Sequence, residues 1–344
     1  MRVIAVVNKR LIGTGFILVH SAREPCAVFL KAEYAARQKT VQVSVAKVEL
    51  RLLTIMMRHL LPSLCLAAAL AGCAAIMPRH HWEDRLQGDA IVLLGEIHDN
   101  AEHHQQRLKV LRRALSAGWR PAIAMEQFDR ERQADIDRAR HEKPRDAQHV
   151  INVAGLSTGA SSGSGNNWHW DYYRPFVALA LEYDVPLIAA NLSRADTNKV
   201  VRGGLPAVFS AKSMRALGLS TPVPPDMQAA QERGIDIGHC SALPPHMLPA
   251  MARGQLARDA VMASLVSTHA AQGLVLLAGN GHVRRDIGTP RWLNSAQLAR
   301  TFAVGFLEHD HTAASETSFD AVVQTAAAER PDPCVEFKKR LKPP

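Results

Sequence analysis

Apolar runs of strand length alternate along the chain with segments whose apolar residues recur every three or four positions. Within the runs the apolar residues are continuous and do not alternate with polar ones, as in "AIVLLGEI" at residues 90–97. Continuous apolar strands are typical of mostly parallel sheets that are covered on both faces. The runs that we assign to strands are residues 90–97, 121–128, 185–191, 273–283, 301–309 and 319–326.

Helical patterns separate these strands. After the first strand, Leu108, Leu111 and Leu115 recur at helical spacing, and Asp99 or Asn100 is placed to cap the helix. We assign helices to residues 101–119, 129–142, 171–183 and 247–272, and leave the Pro-rich residues 219–247 unassigned. Strands that alternate with helices predict an α/β fold, with a mostly parallel sheet flanked by helices in a single domain.

Polar side chains follow four of the predicted strands, at the point where each strand ends. In open α/β sheets ligands bind beyond the carboxyl ends of the strands. If the strands are parallel, these clusters from distant parts of the chain meet in one cleft. The clusters are Glu96 with His98, Glu126 with Gln127, Asn191 with Arg194, and Asn280 with His282.

Residues 56–72 have the pattern of a secretory signal peptide. Arg58 precedes an apolar run that is too short to span a bilayer. The run closes in Leu-Ala-Gly-Cys73, which resembles the lipobox of bacterial lipoproteins and implies a lipid on Cys73. The alternative is an apolar helix of the core. Because a signal peptide leads its chain, we expect translation to start at Met56 or Met57.

Residues 1–55 are therefore expected to be an extension outside the working protein; an N-terminal arm or a transit peptide is the alternative. The whole chain of 344 residues has a net charge of +9. Removing the ten bases and three acids that precede Cys73 leaves about +2. Only the uncorrected charge would favour a nucleic-acid partner, so we expect none.

The remaining chain divides into a tether at residues 73–89, a domain at residues 90–330 and a tail at residues 331–344. Of the five cysteines, only Cys240 and Cys334 lie beyond Cys73. An exported protein permits a disulfide between them, but the sequence leaves their pairing open.

Several motifs, taken in order, are similar to those of the ChaN-like haem-binding lipoproteins. That family belongs to a wider group with the Tiki proteases, the TraB-like proteins and the erythromycin esterases. The resemblance covers roughly residues 88 to 300 and implies haem binding in iron uptake at the bacterial envelope. The motifs are LLGEIHDN (93–100), AMEQFDR (124–130), WDYYRP (170–175), AANLSR (189–194), QLARDAVMA (255–263) and LLAGNGHVRRDIGTP (276–290).

A haem carrier needs an axial ligand for iron, and tyrosine is one. Tyr173 begins a helix beside the Gly/Ser-rich residues 155–167, where a planar ligand could enter, and the neighbouring Arg174 would favour its phenolate. Packing of Tyr173 on the sheet is the alternative. The other candidate haem contacts are Tyr172, His98 and His282, with Arg194 and Arg258 as partners of the propionates.

A second hypothesis is a metal-assisted hydrolase of the same cleft. Glu96, His98, Glu126 and His282 could bind a divalent metal or activate a water, as the Tiki- and esterase-like relatives imply. The spacing Glu-x-His is weak evidence for a metal. In a third interpretation, His98 and His282 have a structural role only. They form hydrogen bonds with each other and with nearby backbone at the strand ends.

Other charged and glycine-rich positions have simpler interpretations. His103 and His104 are expected to be solvated, in the first turn of a polar helix. Arg258 and Asp259 interrupt an apolar helix, so we expect either a buried ion pair that ties this helix to the edge of the sheet or an Arg258 side chain that faces a ligand. Residues 278–282 lack a phosphate-loop pattern, which argues against nucleotide binding.

We expect the partners to be haem, the membrane through the lipid anchor, a haem transporter or receptor, and a second copy in a homodimer. Ala74 after the cysteine resembles the pattern of outer-membrane lipoproteins. The location expected is therefore the outer membrane of the cell envelope, facing the periplasm.

Overall fold

A computed structural model of the chain describes residues 82–155, 168–309 and 317–341. The predicted extension, the signal peptide and Cys73 lie outside the described residues, as does most of the Gly/Ser-rich segment. The structure confirms the α/β fold. Within the described residues, no helix is long and apolar enough to cross a membrane.

In the part of the chain that the structure describes, six parallel strands form one sheet in the order β3-β2-β4-β1-β5-β6. All six strands were predicted from the apolar runs, although most are shorter than the runs. The strands are β1 (Ile91–Leu94), β2 (Ala122–Asp129), β3 (Leu187–Asn191), β4 (Leu274–Leu277), β5 (Thr301–Glu308) and β6 (Ala321–Thr325).

Helices cover both faces of this sheet. The α-helices are α1 (Ala101–Ser116), α2 (Gln133–Glu142), α3 (Ala147–Val150), α4 (Trp170–Glu182), α5 (Arg194–Gly203), α6 (Ala211–Ala216), α7 (Pro225–Gly238), α8 (Leu248–His269), α9 (Asn280–Val283), α10 (Ser295–Ala299) and α11 (Pro333–Leu341). Single 3-10 turns span Trp82–Arg85, Arg130–Arg132, Leu205–Ala207, Pro245–Met247, Ala270–Gln272 and Thr289–Trp292, and a π-helical turn spans Ile151–Gly155.

The alternating direction of side chains along each strand divides the core into two layers. Val92 and Leu94 of β1 face a layer that α1 and α4 cover. Ile91 and Leu93 face the opposite layer, which α8 covers. Both sets are fully buried, which is why the strand sequences read as continuous apolar runs.

The folded domain extends beyond the predicted boundaries at both ends. Trp82 packs edge-on against Phe306, with ring centroids 5.9 Å apart, and Leu86 is buried, so residues 82–89 belong to the domain and not to a tether. At the other end, the expected tail contains α11. A disulfide joins Cys334 of α11 to Cys240, which follows α7, and so answers the question that the sequence left open.

The strand order brings the chemically important strand ends together. β4 lies between β2 and β1, and its residues are in register with both. The segments that follow β1 and β4 and the last residues of β2 therefore meet at one edge of the sheet. The predicted convergence of Glu96, Glu126 and His282 follows from this order.

Candidate functional site

One polar network at the carboxyl edge surrounds Glu96, and we call it the Glu96 network. The Tyr173 hydroxyl donates a hydrogen bond of 2.6 Å to Glu96 Oε1, and His98 Nδ1 lies 2.7 Å from the same oxygen. On the other oxygen, Arg107 forms a close ion pair and His104 Nδ1 lies at 3.3 Å. Glu96 is thus a buried carboxylate with partners on both oxygens, and its charge is compensated by Arg107.

Tyr173 packs on the sheet, which is the alternative that the sequence left open beside a ligand role. Its side chain begins the buried face of α4 and is 1% exposed, because the residue packs between α1 and the sheet. Burial raises the pKa of the Tyr173 phenol, although the charge of Arg107 lowers it in part. Arg174, which was expected to favour the phenolate, is exposed. The neutral phenol therefore serves Glu96 as a donor, and iron ligation would require this hydrogen bond to break.

His103 and His104 are buried, so the expectation that water solvates them was wrong. His103 Nδ1 accepts a hydrogen bond from the backbone N–H of Ile97, and its Nε2 lies 2.8 Å from Thr325 Oγ1. His104 Nε2 donates to the carbonyl of His98 over 2.9 Å. Burial lowers the pKa of each histidine to about 4, so both are neutral and hold the segment after β1 in place.

A second network lies on the α8 side of the same edge, and we call it the Glu126 network. Arg258 donates to Glu126 Oε1 over 3.2 Å and to Asn191 Oδ1 over 2.9 Å. His282 lies between two carboxylates, with Nδ1 2.7 Å from Asp259 Oδ1 and Nε2 3.5 Å from Glu126 Oε1. Arg258 is thus paired with Glu126 of β2 and ties α8 to the edge of the sheet, as the ion-pair interpretation of the sequence required.

The charges of the Glu126 network follow from this arrangement. Burial alone would lower the pKa of His282, but Glu126 and Asp259 raise it to about 9. Burial alone would raise the pKa of Glu126, but His282 and Arg258 hold it well below its usual value. At neutral pH His282 is an imidazolium, so it cannot accept a proton as a general base.

Two glycines allow close packing here: Gly279 between the two networks, and Gly95 against Asn280. A Cβ on Gly279 would lie 3.0 Å from Cε1 of His98 and 3.7 Å from Glu126 Oε2, so this glycine fits between the two networks. A Cβ on Gly95 would lie 2.2 Å from Asn280 Oδ1. The Asn280 side chain there bonds the backbone of Phe306 through both of its polar atoms, which gives it a structural role.

The remaining predicted residues lie farther out. Tyr172 is half-buried, and its ring stacks on His104 with centroids 4.6 Å apart. The His98 side chain is 48% exposed, and its ring meets Trp168 edge-on. Arg194 begins α5 and is exposed, and the structure does not bring it into either network.

A cavity of about 450 Å³ opens beside the Glu126 network, between α7 and the ends of β4 and β5. We call it the α7 cavity. Asp259 and His282 form part of its floor, so the cavity is continuous with the predicted cleft. Its apolar wall is formed by Ile235, Ile237, Ile287, Leu307 and Phe319.

Sequence reasoning missed Arg107 and the α7 cavity. Arg107 lies four residues before Leu111 and eight before Leu115, so helical spacing places it on the buried stripe of α1. Its charge obscured this position, because an unpaired arginine is rarely buried. The cavity has no comparable signal, since residues from 231 to 319 line it and only tertiary structure joins them.

No group of three or more His, Cys, Asp or Glu side chains in the described ranges is arranged to hold a metal ion. The acids that the hydrolase hypothesis needs are engaged by cations: Glu96 by Arg107, and Glu126 by Arg258 and His282. A divalent metal would have to displace these partners.

Comparison with known proteins decides the family. A family model described as "Haem-binding uptake, Tiki superfamily, ChaN" matches residues 82–293. The chain belongs to this family. The match begins at Trp82, which is also the first residue that the structure describes. A search of curated proteins finds no significant match.

Among solved structures, the fold is similar to that of ChaN of Campylobacter jejuni, described with cofacial haem binding. That protein is 21% identical, with a TM-score of 0.55, over 72% of this chain and 91% of that chain. This likeness supports the fold. An erythromycin esterase mutant in its open conformation is 13% identical, over 65% of this chain and 71% of its own, with a TM-score of 0.39.

Proposed function

We propose that this ChaN-family protein binds haem in the α7 cavity and serves haem uptake at the bacterial cell envelope. The observation that carries the proposal is the cavity itself. It lies at the carboxyl edge of a parallel sheet, where α/β folds bind ligands, in a chain of a haem-binding family. Its volume of about 450 Å³ is within the usual range of ligand pockets.

The chemistry of the lining fits a porphyrin. Apolar side chains on one wall would cover the ring, and Gly234, Gly238 and Gly281 leave open space where other residues would have side chains. Arg284 also lines the cavity and offers a cation to a propionate. Its guanidinium forms an ion pair with Asp286, with 2.6 Å between Arg284 Nη2 and Asp286 Oδ2. Bound haem would supply an iron centre that takes axial ligands from protein side chains.

The arrangement of the acids favours a carrier over the hydrolase hypothesis. A hydrolytic site needs a carboxylate or imidazole that is free to activate water. Glu96 and Glu126 are compensated by buried cations, and His282 is protonated between two carboxylates. Of the four residues in the hydrolase hypothesis, this leaves His98, whose Nδ1 is held by Glu96. These networks are suited to fixing the strand ends that form the floor of the cavity.

Three finer expectations belong to the same proposal. A lipid on Cys73 would hold the protein at the outer membrane, facing the periplasm. A haem transporter or receptor would take up the ligand. A second copy of the chain would pair with the first as a homodimer. The exposed edge of the cavity, where the Ile237 side chain is 74% exposed, is compatible with such a partner.

A cavity-filling variant tests the proposal. We expect haemin to bind the wild-type protein saturably, with a shift of its Soret band, and Gly234→Trp to abolish this binding because an indole would occupy the cavity. Gly234 has open space for a side chain, so the substitution should leave the fold intact. Arg233→Trp is the matched control, since Arg233 is exposed on the same helix and does not line the cavity.

Saturable binding in wild type and in Arg233→Trp, with loss in Gly234→Trp, supports the proposal. Equal binding in all three proteins contradicts the location. If wild type shows no saturable binding, the carrier function is wrong and a screen for metal-dependent hydrolysis follows.

A further inference from the structure

A second cavity lies beside α8 and shares no lining residue with the α7 cavity. We call it the Trp292 cavity. Its volume is about 540 Å³, which is within the usual range of sites for small ligands. One side is formed by Ala260, Ser264 and Ser267, which helical spacing places on the same face of α8. The end of α6, the Pro-rich residues 221–224 and the 3-10 turn that ends at Trp292 form the rest.

Much of the wall of the Trp292 cavity is apolar and held in place. Trp292 is half-buried and packs against the hydrophobic core beside α8. Gly218 lies close to its ring, since a Cβ on this glycine would be 3.6 Å from Trp292 Cε3. Pro222 and Pro224 also line the cavity, and their rings fix the backbone φ angles there. A wall that is formed in advance reduces the entropic cost of binding a ligand.

The polar part of the lining carries positive charge without a counter-charge. Arg215 of α6 and Arg291 of the 3-10 turn line the cavity, and no aspartate or glutamate does. Among the described residues, neither guanidinium has an ion-pair or hydrogen-bond partner. The α7 cavity, in contrast, includes Asp259. The charge of the Trp292 cavity therefore favours an anion.

Two uncharged donors of the same cavity also lack acceptors in the part of the chain that the structure describes. The indole N–H of Trp292 is buried without a hydrogen-bond partner, and the Ser264 hydroxyl has none either. A buried donor that is left unpaired costs free energy, which an oxygen atom of a ligand can recover. The donors and the two cations thus call for the same kind of ligand atom.

We propose that the Trp292 cavity is a second binding site, which takes a small organic carboxylate with an apolar body. The apolar body lies against Trp292 and the Pro-rich segment, and the carboxylate pairs with Arg215 and Arg291. Arginine suits this role, because its planar guanidinium can form two parallel hydrogen bonds with a carboxylate. The inference does not depend on haem binding, since the two cavities have different lining residues.

The test is a calorimetric titration of the full-length protein with octanoate, beside octanol, which has the same chain length and no charge. We expect octanoate to bind saturably and octanol to bind more weakly. Arg215→Gln and Arg291→Gln should each weaken octanoate binding about fivefold, near the upper limit for an exposed ion pair, and leave octanol binding unchanged. Lys212→Gln is the matched control, since Lys212 is exposed on the same helix as Arg215 and does not line the cavity.

Weaker octanoate binding in both arginine variants, with wild-type affinity in Lys212→Gln and in Gly234→Trp, supports the inference. Equal affinity for octanoate and octanol contradicts it, as does wild-type octanoate affinity in both arginine variants, because the charge then has no role. If wild type does not bind octanoate saturably, the inference is overturned. Loss of octanoate binding in Gly234→Trp would assign octanoate to the α7 cavity and would also overturn it.

Haemin separates this inference from the proposed function, because haem carries carboxylates of its own. We expect haemin not to displace octanoate from wild type, and both arginine variants to keep wild-type affinity for haemin. Displacement of octanoate by haemin, together with weaker haemin binding in Arg215→Gln and Arg291→Gln, would make the Trp292 cavity a haem site and contradict a separate ligand. If wild type binds octanoate as described but not haemin, the proposed function fails and the second site stands.

Discussion

At the residue scale, the Glu96–Arg107 pair determines the stability of the carboxyl edge. Both side chains are fully buried, and Arg107 also donates to the carbonyl oxygen of Leu94 over 3.1 Å. Removing one partner of a buried pair leaves a charge without compensation, which costs about 3–5 kcal/mol. We therefore expect Arg107→Met to lower the free energy of unfolding by that amount, measured by urea denaturation.

The control for this prediction lies on the same helix. Arg112 pairs with Glu182 at 2.9 Å, but about half of each side chain is exposed. Exposed ion pairs contribute little, so Arg112→Met should change the free energy of unfolding by less than about 1 kcal/mol. A loss in Arg107→Met no larger than this would contradict the role given to the buried pair.

The buried imidazolium of His282 predicts a loss of stability at alkaline pH. Its pKa is raised from 6.5 to about 9 in the folded protein by Glu126 and Asp259, so the folded state binds the proton more tightly than the unfolded state. This contribution is complete below about pH 6.5 and is lost as the pH rises through about 9; it amounts to about 3 kcal/mol. Urea unfolding at pH 6 and pH 9.5 measures it. In His282→Asn the free energy of unfolding should change much less between pH 6 and pH 9.5. If it changes as much as in wild type, other groups cause the loss of stability.

Many of the residues at this edge could be predicted from the sequence, because an apolar run that ends in polar residues marks the end of a buried strand. Glu96, Glu126 and His282 were found in this way, and the structure brings them to one edge. Their partners were harder to find. Arg107 and His104 are polar residues on a helix, and only their spacing from Leu111 indicates that they face the core.

At the element scale, the disulfide fastens the C-terminal helix beside the proposed haem site. Cys240 directly follows His239 of the α7 cavity wall, and α11 carries both Cys334 and Phe337, which contacts the His239 ring. The bridge joins residues 94 positions apart, and a native disulfide typically stabilises a protein by about 2–4 kcal/mol. We expect the double variant Cys240→Ser, Cys334→Ser to lose about this much free energy of unfolding and to bind haemin more weakly.

Reductant provides the control for the disulfide. Dithiothreitol should weaken haemin binding to wild type and have no effect on binding to the double variant. Equal haemin affinity of wild type and double variant would show that α11 does not support the site.

The elements themselves were predictable to different degrees. Long apolar runs and leucines at helical spacing indicated the sheet, α1, α4 and α8 correctly. The sequence left α7 unassigned because Pro222, Pro224 and Pro225 precede it or begin it and two glycines lie near its end. Its Pro225 occupies the first helical turn, where proline is tolerated, so the same residues are compatible with a helix.

At the scale of the whole molecule, we propose a haem-binding domain joined to a lipid anchor. The domain is described from residue 82, and Cys73 precedes it by nine positions. If Cys73 is lipidated, Cys73→Ser should move the protein from the membrane fraction to the soluble fraction and prevent labelling with palmitate. The anchor would be contradicted if the variant stayed in the membrane fraction and the wild-type protein carried no labelled lipid.

The position of the iron would test haem binding in the α7 cavity without any substitution. We would crystallise the protein with haemin and locate the iron by anomalous diffraction. We predict a peak in the α7 cavity. A peak outside this cavity, beside Tyr173 or at the opposite edge of the sheet, would contradict the proposed site.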